Sequence, residues 1–268
     1  RSTGQLQGYY IYDQGLDLLG AGRVNLTAAT EHRGRVVGRN RIDFPFNVAL
    51  TTELGWLSDR NVREQFWERE WDTGKDYETL ANLSYQADNF TASAMVRQRL
   101  FDFEDTTDWL PRLDATLLAQ PLGATPLLWS QHSSVGYARL HPAEPPPNVG
   151  QDPFQPLPYV ADRQGVVAMS RHELDLPMTL GPLNVVPYVL GEAAYWQQDL
   201  SGDDLARLYG SAGVRASLTM AKYMPQVYSP IFGLNGLAHK MVFDADYSFS
   251  ESSVNLNRIA QYNEFDED

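Results

Sequence analysis

Residues 77–101 read YETLANLSYQADNFTASAMVRQRLF, and apolar or small side chains recur in them at every second position. Tyr77, Thr79, Ala81, Leu83 and Tyr85 share one face, and Glu78, Asn82, Ser84 and Gln86 share the other, with Leu80 the exception. Side chains alternate across a β-strand with period two, so the pattern is a strand and not a helix. Asp88-Asn89 supplies turn residues that tolerate left-handed backbone. The return arm puts Phe90, Ala92, Ala94, Val96 and Leu100 on one face and Thr91, Ser93, Arg97 and Arg99 on the other. Two alternating strands about a two-residue turn make a β-hairpin. The pattern leaves open which face meets water. The apolar face could pack on a protein core, as in a soluble sandwich or barrel. It could instead meet lipid while the polar face lines a lumen.

The same alternation recurs along the chain. In 46–57, Phe46, Val48, Leu50, Leu54 and Trp56 oppose Asn47, Thr51 and Glu53. In 112–120, Leu113, Ala115, Leu117 and Ala119 oppose Arg112, Asp114, Thr116 and Gln120. In 211–222, Ala212, Val214, Ala216, Leu218 and Met220 oppose Ser211, Arg215, Ser217 and Thr219. In 237–249, Leu237, Met241, Phe243, Ala245, Tyr247 and Phe249 oppose Lys240, Asp244, Asp246 and Ser248. Such spacing predicts an all-β, antiparallel, up-and-down single domain over 1–268 with roughly a dozen strands. No helical period of useful length stands out. The stretch SDRNVREQFWERE (58–70) reads as either a helix or a strand, and WDTGKD (71–76) as a hairpin turn. Connections alternate between tight turns (88–89, 73–74) and long loops (13–32, 141–163, 199–207). The Pro-rich run 142–158 cannot be a central strand.

Composition narrows the functions. The net charge is −13, with 34 acidic against 21 basic residues, which disfavours nucleic acid as a partner. The chain holds 14 Tyr, 11 Phe and 6 Trp, an aromatic load that suits strands and the interfacial girdles of membrane barrels. There is no cysteine, so disulfides, thiolate catalysis and Cys-ligated metals are excluded. No apolar run reaches the roughly 18 residues of a spanning helix. Barrel strands need only about 9–11 residues each.

No constellation for catalysis, a metal or a cofactor emerges. Asp72-Thr73-Gly74 matches an aspartic-protease loop in letters alone, for that chemistry needs a second carboxylate sharing its proton. His32, His132, His141, His172 and His239 lack ligand spacing. Asp203-Asp204 and Glu264–Asp268 read as solvated loop charge. The residues singled out as polar-face candidates are Glu53, Glu78, Asn82, Gln86, Arg97, Arg99, Arg112, Asp114, Arg215, Asp244 and Asp246.

Four stretches carry a resemblance: 33–76, from RGRVVGRNRIDF to WDTGKD; 106–122, TTDWLPRLDATLLAQPL; 171–187, ending GPLNVVP; and 236–250, GLAHKMVFDADYSFS. In this order they resemble the barrel domain of the LptD family, the outer-membrane lipopolysaccharide-assembly proteins. The resemblance runs from about residue 8 to the end. It implies a transmembrane β-barrel wall in the cell outer membrane that moves lipopolysaccharide without breaking a bond. It also implies an LptE-like lipoprotein plug and a periplasmic bridge protein as partners, with membrane lipid around the wall. The family's periplasmic jellyroll, its inter-domain disulfides and its larger strand number have no counterpart here, so the expectation is a barrel fragment. A passive porin-like channel and a soluble carbohydrate-binding or hydrolytic sandwich are the alternatives.

Overall fold

The computed structural model describes residues 1–20, 22–145 and 162–262. It is built on one antiparallel sheet. Its main path runs β1 (Ser2–Tyr12), β4 (His32–Asp43), β5 (Val48–Leu57), β6 (Leu80–Ala87), β7 (Phe90–Arg97), β8 (Thr106–Pro121), β9 (Leu128–His141), β10 (Arg163–Asp175), β12 (Leu183–Trp196), β13 (Leu205–Ser229) and β14 (Leu234–Ser252). A short β11 (Met178–Leu180) extends the β10–β12 hairpin on β12, making twelve strands in the sheet. Along this path the strands pair in chain order, with β2, β3 and β11 set aside, which is the up-and-down order expected. The sheet is not closed, since β1 and β14 each have a single neighbour. A second, two-stranded sheet pairs β2 (Leu16–Leu18) with β3 (Val24–Thr27) inside the predicted loop 13–32.

The connections alternate as the turn residues predict. One end carries the short links 44–47, 88–89, 122–127, 176–182 and 230–233, and the other carries 13–31, 58–79, 98–105, 142–162 and 197–204. Asp88 adopts φ 36° in the β6–β7 turn, and the Asn89 side-chain amide donates to the Leu118 carbonyl at 3.0 Å. Residues 146–161, the bulk of the Pro-rich loop, and Glu264–Asp268 lie outside the described residues.

Register assigns every strand two faces. Arg39↔Glu53, Glu53↔Leu80 and Thr51↔Asn82 link β4, β5 and β6. Leu80↔Arg97, Met95↔Arg112 and Ser93↔Asp114 carry the same face to β8. His132↔Arg171, Arg171↔Glu192 and Ala194↔Arg207 carry it across β9 to β13. Arg215↔Asp246 and Ser217↔Asp244 carry it to β14. This face is charged. The opposite face holds Leu54, Trp56, Leu83, Tyr85, Val96, Leu113, Val135, Val189, Val214, Tyr247 and Phe249, all of them exposed. The chain's buried apolar clusters sit on the charged side. Trp109, Ala138, Leu140, Val167, Ala194, Trp196 and Leu205 pack against Ile259, Ala260 and Tyr262 of the segment that follows β14.

Four expectations need correction. WDTGKD is not a hairpin turn but the end of helix α1 (Val62–Thr73), which settles the open reading of 58–70 as its helical alternative. The Asp59 carboxylate accepts the Asn61 amide at 3.1 Å just before the helix, and Glu64 suits the positive end of the helix dipole. Gly74 closes the helix by donating to the Glu70 carbonyl at 2.9 Å. Tyr77 and Thr79 precede β6, and Tyr77 is buried beside Leu57, Val62 and Phe101, so it is no part of the apolar outer row. Arg99 and Leu100 lie past the end of β7. Phe46 and Ala119 take positive φ, in a turn and at the β8 bulge respectively, which removes both from the strand faces assigned to them.

Candidate functional site

The charged face borders a half-open cavity of about 1040 Å³ at the long-connection end. Four of the predicted residues line it, namely Glu78, Arg97, Arg99 and Arg112, together with Glu104, Asp105, Asp108, His132, Arg171, Gln261 and Tyr262. Arg97 bonds Glu78 at 2.8 Å and the Thr107 carbonyl at 2.9 Å. Arg112 grips Asp114 through both Nε and Nη2 at 2.9–3.0 Å and lies 4.7 Å over the Trp109 ring. Arg99 bonds Asp102 at 3.1 Å. A guanidinium in such a fork is a planar donor suited to phosphate or carboxylate oxygens.

The other candidates are spread along the same face. Glu53 reaches the site through Lys75, whose ammonium lies 3.0 Å from Glu53 and 2.5 Å from Glu78. Burial opposes the Lys75 charge, but its bonds to Glu78 and Glu53 win and its pKa is raised. Asn82 and Gln86 lie along β6 beyond the cavity and do not border it. Arg215 forms a separate cluster, 2.7 Å from Glu173, 3.3 Å from Asp175, 3.6 Å from Asp246 and 3.9 Å over the Tyr188 ring. Asp244 lies two residues from Asp246 on the edge strand and is exposed.

Several charged residues escaped the sequence reading. Glu192 is buried between Arg207 at 2.5 Å and Arg171 at 3.4 Å. Arg33 is wholly buried among Asp13, Asp17 and Asp59. Arg35 bonds Glu70 at 2.8 Å and stacks 3.7 Å over Trp67. Arg33, Arg35, Arg39 and Arg41 alternate in HRGRVVGRNR, so period two does announce them as one face. Nothing local announces Glu192.

Glu104, in the β7–β8 connection, is the most perturbed carboxyl at the cavity. Burial and then the nearby Asp76 push it up to about 7, against the opposing pull of Arg63 and Arg60. A raised carboxyl favours the folded state below its unfolded value and loses that contribution as pH rises to about 7. Glu104→Gln is therefore expected to leave stability unchanged near pH 4 and to raise it at pH 8. Melting temperatures of both proteins across that window check this, and a parallel pH dependence in the two would overturn it.

A polar cluster spans β9 and β10 on the apolar face. Ser133 Oγ lies 2.7 Å from Ser170 Oγ, which lies 3.0 Å from His172 Nε2. The Trp129 indole donates to His172 Nδ1 at 3.2 Å. With Nδ1 accepting, the hydrogen of a neutral imidazole sits on Nε2 and is donated to Ser170. That tautomer cannot take a proton from Ser170, so the Ser–His contact is not a nucleophile–base pair.

Among the described residues there is no cluster of His, Asp and Glu suited to a metal, and no helix is long and apolar enough to cross a membrane. No protein-family model matches the chain, and no curated protein matches it.

Proposed function

We propose that this chain is wall of an outer-membrane β-barrel of the LptD type, passing the sugar–phosphate part of lipopolysaccharide along its charged face and releasing the lipid part sideways. The observation that carries the reading is inverted polarity. Ion pairs, a helix and a cavity occupy one side of a single large sheet, while the other side leaves large apolar side chains uncovered from β1 to β14. A soluble sandwich buries such a face against a second sheet. The only other sheet among the described residues has two short strands. Strands of 8–25 residues, short turns at one end and long connections at the other fit a membrane barrel.

Open edges carry unpaired backbone groups that hydrocarbon does not tolerate. Eleven strands lie on the main path and all pair antiparallel, so β1 and β14 run in the same direction. An antiparallel wall joining them takes an odd number of further strands. The reading brings an LptE-like lipoprotein plug and a periplasmic bridge protein as partners, and it needs no catalysis.

The test uses the chain with its native flanks, carrying a photo-crosslinker at Arg97, Arg99 or Arg112. A membrane band whose gel mobility shifts on heating, with lipopolysaccharide adducts from these positions, is the expected result. A heat-shifting band that conducts ions but gives no adduct would instead favour the passive channel. A soluble protein without a heat shift would overturn both.

A further inference from the structure

The segment that follows β14 turns back over the charged face. Ser253 makes the turn, donating its amide to the Leu208 carbonyl at 2.9 Å while its hydroxyl accepts the Leu208 amide at 2.9 Å. A single 3-10 turn, Leu256–Arg258, follows. Ile259, Ala260 and Tyr262 are then buried in a cluster drawn from β8, β9, β10, β12 and β13. Gln261 and Tyr262 reach the cavity and form part of its wall, and the Tyr262 ring lies 6.4 Å from that of Trp109. Nothing in the segment joins a strand ladder. Arg258 latches it: Nη2 lies 2.8 Å from Asp199 Oδ2, and the Arg258 carbonyl accepts the Leu200 amide at 3.2 Å. The acceptor is preset. Asp199 is wholly buried, and its other oxygen accepts the Ser201 and Asp203 amides at 2.7 and 3.2 Å. Arg163 of β10 bonds the Asp199 and Leu200 carbonyls at 3.2 and 2.8 Å. Arg258 itself is 52% exposed, and an ion pair with one partner in water adds little. The latched state also leaves two donors unmet. Trp109 Nε1 and Trp196 Nε1 are buried in the same cluster without a hydrogen-bond partner, which disfavours the state that buries them.

From these contacts we infer that Ser253–Tyr262 is a releasable strap over the cavity's apolar flank. Latched, it covers the patch formed by Trp109, Ala138, Val167 and Trp196. Released at Arg258, it swings about Ser253 off the wall, opens both indole donors to solvent and merges their patch with the cavity. The strap thereby sets how much of the charged face a ligand in the cavity can reach. Three buried side chains and one half-exposed latch hold it, whereas every wall strand beneath it is hydrogen-bonded to a neighbour on each side. Segments held in this way open at lower free energy than the sheet they lie on. Strap, latch and cavity all lie on the charged side, so the release is independent of the solvent that meets the opposite face and of the barrel reading.

The absence of cysteine makes a single thiol unambiguous. The full chain carries either Ala260→Cys in the strap or Ala138→Cys in the wall, both parent side chains being 0% exposed. Labelling by excess maleimide reads how often each thiol is uncovered. The expected result is that both label at a common rate that low urea barely changes, because a local opening exposes little surface. Adding Arg258→Gln should speed both by about fivefold, the upper end for a partly exposed ion pair, and leave the melting temperature where it is. A steep urea dependence, or rates indifferent to Arg258→Gln, would overturn the inference, since the segment would then open only with the whole chain or without its latch. Fast labelling of Ala260→Cys with Ala138→Cys protected would also overturn it, because the segment would fray without uncovering the wall. If the cysteine variants do not fold, hydrogen exchange of the Trp109 and Trp196 indole N–H groups in the unsubstituted chain reads the same event. A shared rate well above that of the β9 amides is expected, and exchange as slow as β9 would overturn the strap.

Discussion

Ala94→Arg is expected to cost about 2–4 kcal/mol and to prevent the chain from inserting into a bilayer. Ala94 lies midway along β7, between Leu83 of β6 and Leu113 of β8 in register. Both neighbours are nearly half exposed, at 46% and 48%. If that face meets hydrocarbon, the guanidinium sits near mid-depth with no group to pair with. If the face meets water, the same substitution is a surface change on a solvated sheet, worth about 0.5 kcal/mol or less. The two cases differ by more than the error of a denaturant titration in lipid vesicles. Arg97→Leu is the mirror experiment, because Arg97 lies on the charged face bonded to Glu78 and to the Thr107 carbonyl. A tolerated Ala94→Arg with unchanged insertion would remove β7 from the lipid-facing wall.

Period two made the sheet legible, because one rule governs every strand. The polar-face residues Glu53, Asn82, Arg97, Arg112, Asp114, Arg215, Asp244 and Asp246 fall on one continuous face by register alone. The rule failed where tertiary contacts, not alternation, set the backbone. α1 has no apolar stripe to read. It is held by Arg63, which bonds Asp76 at 2.9 Å and the carbonyls of Glu70, Gly74 and Lys75 at 2.7–3.2 Å. Tyr77 kept the alternation by coincidence. Its hydroxyl bonds Glu70 and receives a bond from Arg35, and burial followed by the Glu70 bond pushes its pKa up to about 12. The cavity was illegible for a related reason. Its walls come from 76–79, 97–108 and 261–262, segments that meet only after the sheet has formed.

Arg33→Ala is expected to be the most destabilising single change away from the apolar face, costing about 3–5 kcal/mol. Arg33 is 0% exposed. Its guanidinium bonds Asp59 at 2.9 and 3.1 Å, Asp17 at 2.5 and 3.2 Å and Asp13 at 3.2 Å. Asp17 and Asp59 are themselves buried, so the truncation strands two carboxylates out of water with no counter-charge. The loss is local in structure. Asp17 sits on β2, and the β2–β3 hairpin also meets α1 through Leu18 N–H to Gln65 at 2.8 Å and Arg23 to Glu64 at 2.9 Å. Hydrogen exchange should therefore rise first in β2, β3 and the start of α1 and leave β8–β13 protected. Arg33→Lys should recover little, since a point charge on a flexible stem cannot bond three carboxylates from a planar fork. Arg33→Met combined with Asp17→Leu should recover part of the loss, because it removes a buried charge on each side. If Arg33→Ala melts within a degree or two of the parent, the buried cluster is not what fastens the hairpin.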